Sequence, residues 1–156
     1  NTCYKSLYGT TFLTKRMQDY YVDQYFKMLN FDYVSVCVDK DDKIVAFALA
    51  FPSLAKAFKK SDGKLFPFGF IRMLRAMKKT DTLELALIAV RPDMQGKGLN
   101  AIVCNEVIQN GMKNGVVRAE TGPMLETNDK IQSQWLKIFE GHYTQHKRRR
   151  CYFKDI

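Results

Sequence analysis

No apolar run in the 156 residues approaches the ~20 needed to cross a bilayer as a helix, so no transmembrane segment is expected. Cysteine is scarce and scattered. Cys3, Cys37, Cys104 and Cys151 form no CxxC pair and have no neighbouring histidine, which argues against a zinc site or a small disulfide framework. No metal is therefore expected. Cys37 and Cys104 lie in apolar stretches and read as buried thiols of a reducing compartment, so the expected location is cytoplasmic. Internal repeats and low-complexity segments are lacking. Acidic residues are in deficit, 16 against 25 Lys and Arg, for a net charge of +9. That surplus suggests an anionic partner, and nucleic acid, a membrane surface and a phosphorylated cofactor all qualify. The chain starts Asn1-Thr2-Cys3-Tyr4, with neither a signal peptide nor an initiator Met. The expectation is a single domain over 1–156 that forms the C-terminal part of a longer protein.

What is present is the composition of an ordinary globular domain, 46% hydrophobic and 26% charged. Helical spacing of Tyr21, Tyr25, Met28 and Leu29 predicts a helix within 12–29. Residues 33–38 are β-branched and aromatic and read as a strand. The polar turn 39–43 joins it to a second strand, 44–51, in a hairpin ended by Pro52. The segment 53–80 breaks this pattern. It predicts a short helix around Leu54–Phe58, a turn at Ser61-Asp62-Gly63-Lys64, and an amphipathic basic helix carrying Phe70, Met73, Leu74 and Met77. Residues 82–90 are near-continuously apolar, as in a central strand covered on both faces. Next come a loop, a helix over 99–112 stopped by Asn114-Gly115, a short strand over 116–121, a helix over 128–139 and a final strand over 148–153. The order predicts a mixed, mostly antiparallel α/β sheet flanked by helices.

The stretch from Leu83 to Leu99 carries the chemistry. A buried strand runs through a glycine-containing turn into a helix. Backbone N–H groups then point outward at a helix N-terminus, and the helix dipole adds positive charge there. Gly96 and Gly98 permit positive φ and leave room for phosphate oxygens, while Lys97 adds a cation. By themselves the two glycines are better read as a tight strand-to-helix turn. The spacing is neither a dinucleotide fingerprint nor a nucleotide P-loop.

With its flanks, the stretch resembles motif A of the GNAT N-acyltransferase superfamily: a hydrophobic strand, Val90-Arg91-Pro92, then Gln95-Gly96-Lys97-Gly98-Leu99-Asn100. Asn100 departs from the Gly or Ala of that pattern, and Asn tolerates unusual backbone angles. The resemblance implies acetyl-CoA or another acyl-CoA as co-substrate. It implies that backbone groups of Ile88, Ala89 and Val90 bond the pantetheine arm in a gap between splayed strands. Residues 95–100 would hold the pyrophosphate, and Asn128 would touch the cofactor; Asn128 reads equally well as a helix N-cap.

The resemblance further implies direct attack by an amine, small-molecule or peptide, with a carboxylate taking its proton. Glu84 holds the place where family members often put this base, and Glu120 is the second candidate. The usual proton-donating Tyr position falls on Trp135, whose indole is not an acid at physiological pH. Tyr143 is the expected substitute, with Tyr152 behind it. A non-catalytic acyl-CoA-binding or regulatory module is the alternative reading. The family joins the two strands before motif A by a tight turn, so 53–80 is an insertion, expected to be a lid over the acceptor site, extra core, a dimer surface, or a basic face for membrane lipid. His146 to Arg150 reads as a terminal strand with exposed Arg, and no nucleic-acid partner is expected. The strand that the family places before the opening helix has no home here, which leaves edges for a second copy or an upstream segment to cover.

Overall fold

The computed structural model describes every residue except Ser6, Tyr8, Cys151, Asp155 and Ile156. Two compact units divide the chain, Asn1–Glu120 and Thr121–Ile156. The first unit opens with turns, then helix α1 (Lys15–Phe26), N-capped by the Thr14 hydroxyl, which accepts the Met17 N–H. Strands β1 (Val34–Val38) and β2 (Ile44–Pro52) form the expected hairpin. Its turn is built by Asp39, whose carboxylate accepts the N–H groups of Asp41 and Lys43 at 3.0 Å each. Helices α2 (Ala55–Lys60) and α3 (Gly69–Lys78) make up the insertion. Strand β3 (Thr82–Val90), helix α4 (Leu99–Lys113) and strand β4 (Arg118–Thr121) come next, and helix α5 (Asp129–Ile138) lies in the second unit.

The four strands form one mixed sheet in the order β1-β2-β3-β4, with β1, β2 and β3 antiparallel. The α/β class and mostly antiparallel sheet read from the sequence are therefore present. The core lies between the sheet and α4. Ala46, Ala48 and Ala50 of β2 and Leu83 of β3 pack with Val103 and Val107 of α4 and with Tyr33. Three alanines on one face of β2 let α4 approach closely. Polar bonds fix its angle: buried Ser35 donates to Glu106 at 2.6 Å, and the Asn114 amide donates to Asp32 at 3.0 Å.

Two expectations need correction. The second face of β3 is covered only at its ends: Thr82 and Ala89 are buried on it, while Glu84, Ala86 and Leu87 between them are exposed. Apolar composition alone does not distinguish a strand covered twice along its length from one whose second face is bare in the middle. Among the described residues the predicted terminal strand over 148–153 is also missing: residues 142–150 and 152–154 have no regular structure, and Cys151 lies outside the described residues. Alternating arginines supply a strand pattern, but an isolated strand without a paired neighbour gains no ladder bonds. Among the described residues, no helix is long and apolar enough to cross a membrane.

Candidate active site

The site starts at the second half of β3. The Arg91 N–H donates to the Val45 carbonyl at 2.8 Å, one step past the Ala46–Val90 pair. In an antiparallel ladder, mutually bonded pairs alternate with unbonded ones. Val45 with Arg91 and Phe47 with Ala89 are then the bonded pairs, and Ala89 turns its own N–H and C=O to β2. Ile88 and Val90 turn theirs to the opposite edge. β4 borders that edge only near its start, where Val117 and Arg118 donate to the Asp81 carbonyl. At about 3.3 Å per residue, its four residues end well short of Ile88.

Two side chains lie on this edge. The Tyr4 hydroxyl donates to the Ile88 carbonyl at 2.8 Å, and the Gln95 amide donates to the Val90 carbonyl at 3.3 Å. Burial pushes the Tyr4 hydroxyl above its usual pKa, while its bond to Ile88 pulls the other way. Tyr4 thus keeps its proton through neutral pH. A bulge lies just upstream: Leu49 pairs with Leu87 and Ala50 with Leu85, which leaves Ala86 unmatched. Such an extra residue bends a strand and re-aims the residues beyond it.

The loop after β3 is pinned before it reaches the glycines. Arg91 bonds Asp93 at 2.7 Å and Asp39 of the hairpin turn at 3.2 Å. Asp93 is held below the usual carboxylate range chiefly by Arg91, and Asp39 chiefly by the Lys43 N–H, with Arg91 adding to it. Pro92–Met94 forms a single 3₁₀ turn. Gly96 and Gly98 have φ of +77° and +78°, and where a Cβ would lie there is no atom within 4 Å. The left-handed backbone, and not crowding, requires glycine here, and the open side is room for a ligand. Gly98 caps α4 with no side-chain bond. Its carbonyl receives Ala101 and Ile102, while the first-turn N–H groups of Leu99 and Asn100 point out of the helix end. Asn100 sits inside regular α4, so its departure from the motif makes no unusual demand on the backbone. Lys97 is exposed, its ammonium 3.3 Å from the Met94 sulfur. Uncapped N–H groups, a helix dipole and a lysine around an open hollow suit a diphosphate.

Glu84 lies toward the other end of β3. Leu83 and Leu85 pack with the α4 core, and Glu84 takes the opposite, exposed face. Its carboxylate accepts the hydroxyl of buried Ser53 at 2.7 Å, and Ser53 is itself tied to the Thr82 carbonyl. Ile88 is four residues on, about 13 Å along the strand. Glu120 is exposed on β4.

Residues 3–130 match the family described as Acetyltransferase (GNAT) family. The chain belongs to that family. No curated protein matches it. Solved structures match at low identity. An aminoglycoside acetyltransferase from an uncultured soil metagenomic sample, in complex with sisomicin, is 12% identical with a TM-score of 0.55, over 95% of this chain and 80% of that one. An acetyltransferase of Trypanosoma brucei is 13% identical with a TM-score of 0.50, over 92% and 82%. AAC(6')-Iy, in complex with the bisubstrate analog CoA-S-monomethyl-acetylneamine, is 15% identical with a TM-score of 0.50, over 88% and 80%. At these identities the likeness shows the fold. For this GNAT acetyltransferase the acyl carrier is coenzyme A.

In the second unit of the acetyltransferase, the Asn128 side chain accepts the Ile131 N–H at 3.4 Å and N-caps α5. Trp135 stacks on Phe139 with ring centroids 6.0 Å apart, and Tyr143 is exposed. Sequence reasoning missed Tyr4, Ser53 and the Asp39–Arg91–Asp93 clamp. Tyr4 is 84 residues from its partner, so no local spacing signals it. The Arg-Pro-Asp run inside the motif does signal the clamp, once the 3₁₀ turn folds Asp93 back onto Arg91.

Proposed function

We propose that this acetyltransferase moves an acetyl group from coenzyme A to an amine by direct attack on the thioester. The observation that carries the reading is continuity. The outward-facing backbone of Ile88 and Val90 leads in one run to the open glycine hollow at 95–100. A pantetheine arm lying along the first would place its diphosphate in the second. The pantetheine bonds fall to Ile88 and Val90; Ala89 contributes its small side chain. Gln95, Gly96, Lys97, Gly98, Leu99 and Asn100 hold the phosphates, and Asn128 has a further cofactor contact by resemblance.

In this reading Glu84, acting through water, takes the proton of the attacking amine, and Ser53 fixes its carboxylate. The new bond is C–N and the bond lost is C–S. The departing sulfur receives a proton, with Tyr143 as the donor in place of the family's tyrosine, whose position here is Trp135. The acceptor is a small molecule or peptide with a free amine. Glu84→Gln should lower kcat/KM by a factor of roughly 10² to 10⁴ while leaving acetyl-CoA affinity in place. Thiol release across a panel of amines and pH values checks this, and full activity of that variant at every pH removes Glu84 from the role. Coenzyme A binding with no thiol release on any amine would instead support a regulatory binding module.

A further inference from the structure

The insertion between β2 and β3 concentrates the charge of the chain. Residues 53–80 hold eight Lys and Arg against one acidic residue, Asp62, a surplus of seven in a chain whose total is +9. Among the described residues only one of the eight, Lys56, is in an ion pair, with Asp81. Arg72 donates to the Lys60 carbonyl, which draws the basic edges of α2 and α3 together. Lys56, Lys60, Arg72, Arg75, Lys78 and Lys79 line the shallow groove between them.

Large apolar side chains are bare on the same element. Phe66 and Phe68, in the connection between the helices, are 79% and 64% exposed. Gly69, Met73, Ala76 and Met77 form the inward arc of α3, while Phe70, Leu74 and Ile71 are exposed on its outward arc. At 100° per residue, Lys78 and Arg75 fall within and beside that outward arc. A face that is apolar at its centre and cationic along one margin fits the boundary between lipid headgroups and acyl chains. Nucleic acid would use the cations and could stack on the phenylalanines. It has no use for Leu65, Ile71 and Leu74, which are exposed beside them.

We propose that the α2–α3 insertion is a docking surface for a lipid bilayer with anionic headgroups. Phe66 and Phe68 enter the headgroup boundary, and the groove cations meet the headgroup charges. This stands independently of the acceptor and of the catalytic roles above.

The test is co-sedimentation of the full chain with phosphatidylcholine vesicles, with and without phosphatidylglycerol. Binding is expected only with the anionic lipid, and it should weaken as salt rises past about 0.1 M. Arg75→Glu with Lys78→Glu should reduce affinity by well over tenfold, at roughly fivefold or more per cation lost. Phe66→Ser with Phe68→Ser should also release the chain from vesicles, and both pairs, being exposed, should leave acetyl-CoA binding intact as a check on folding. No binding to anionic vesicles overturns the proposal. So does binding that survives both pairs and falls only on substituting Arg148, Arg149 and Arg150. Loss with the charge pair alone, together with capture of duplex DNA by the wild-type chain, would point to nucleic acid and contradict it.

Discussion

Tyr4 and Gln95 cover the carbonyls that a pantetheine arm would need. Exchange of a neutral hydrogen bond has a small net free energy, about 0.5–1.5 kcal/mol. Tyr4→Phe is therefore expected to tighten acetyl-CoA binding by up to about tenfold, measured by isothermal titration. Weaker binding would mean that the Tyr4 hydroxyl contacts the cofactor itself. The raised pKa of Tyr4 also has a sign. A folded-state pKa above the unfolded value of about 10 adds stability below pH 10, which is lost as pH rises through the folded value. In strong alkali the wild-type chain should then lose stability relative to Tyr4→Phe, as followed in denaturant melts at rising pH. At Gly98, with φ +78°, an added Cβ costs about 1–2 kcal/mol per residue in the left-handed region. Gly98→Ala should lose that much stability and also weaken coenzyme A binding, because the methyl points into the open hollow.

The elements answer to different forces. Gly69 opens α3 where the chain doubles back, and a Cβ there would lie 1.8 Å from the Lys64 carbonyl oxygen. Gly69→Ala should destabilise the chain by at least the ~1–3 kcal/mol of overpacking, seen in denaturant melts. Since the insertion is distant in sequence from the cofactor loop, a variant that still folds should keep its acetyl-CoA affinity. The hairpin turn and the cofactor loop are joined through Arg91. Asp39 and Asp93 are held below their usual pKa, so their contribution is present above about pH 4 and lost as pH falls. Amide protection, relative to the intrinsic exchange rate at each pH, should accordingly fall first at 39–43 and 91–95 on acidification, before the Val103 and Val107 core responds. Element positions are largely legible in the sequence, because each is punctuated: Asp39 to Lys43, Pro52, Gly98, Asn114-Gly115. The bounds of β3 are legible too, since an apolar run between polar neighbours has only one length. The exposed middle of its second face is not, nor is the absence of a final strand among the described residues, because both depend on what lies beside the strand.

For the molecule as a whole, the basic surplus splits between an insertion and a tail, with the cofactor loop contributing little more than Lys97. Net charge therefore says less about coenzyme A than about surfaces. The phosphate cradle is readable from Gln95 to Asn100 because helix N-termini and left-handed glycines are local features. The catalytic set is not, because a base such as Glu84 and a proton donor meet one acceptor only through tertiary structure, which local spacing does not encode. Ligand that binds only the folded chain should raise stability by about 2.7 kcal/mol at a hundredfold excess over Kd, so acetyl-CoA should raise Tm and free acetate should not. The most direct test of the central claim is a titration of coenzyme A into isotope-labelled protein, with amide shifts followed residue by residue. The largest shifts are predicted at Ile88, Val90 and Gly96 to Asn100. Shifts confined to other elements, or saturable binding with these amides unmoved, would contradict it.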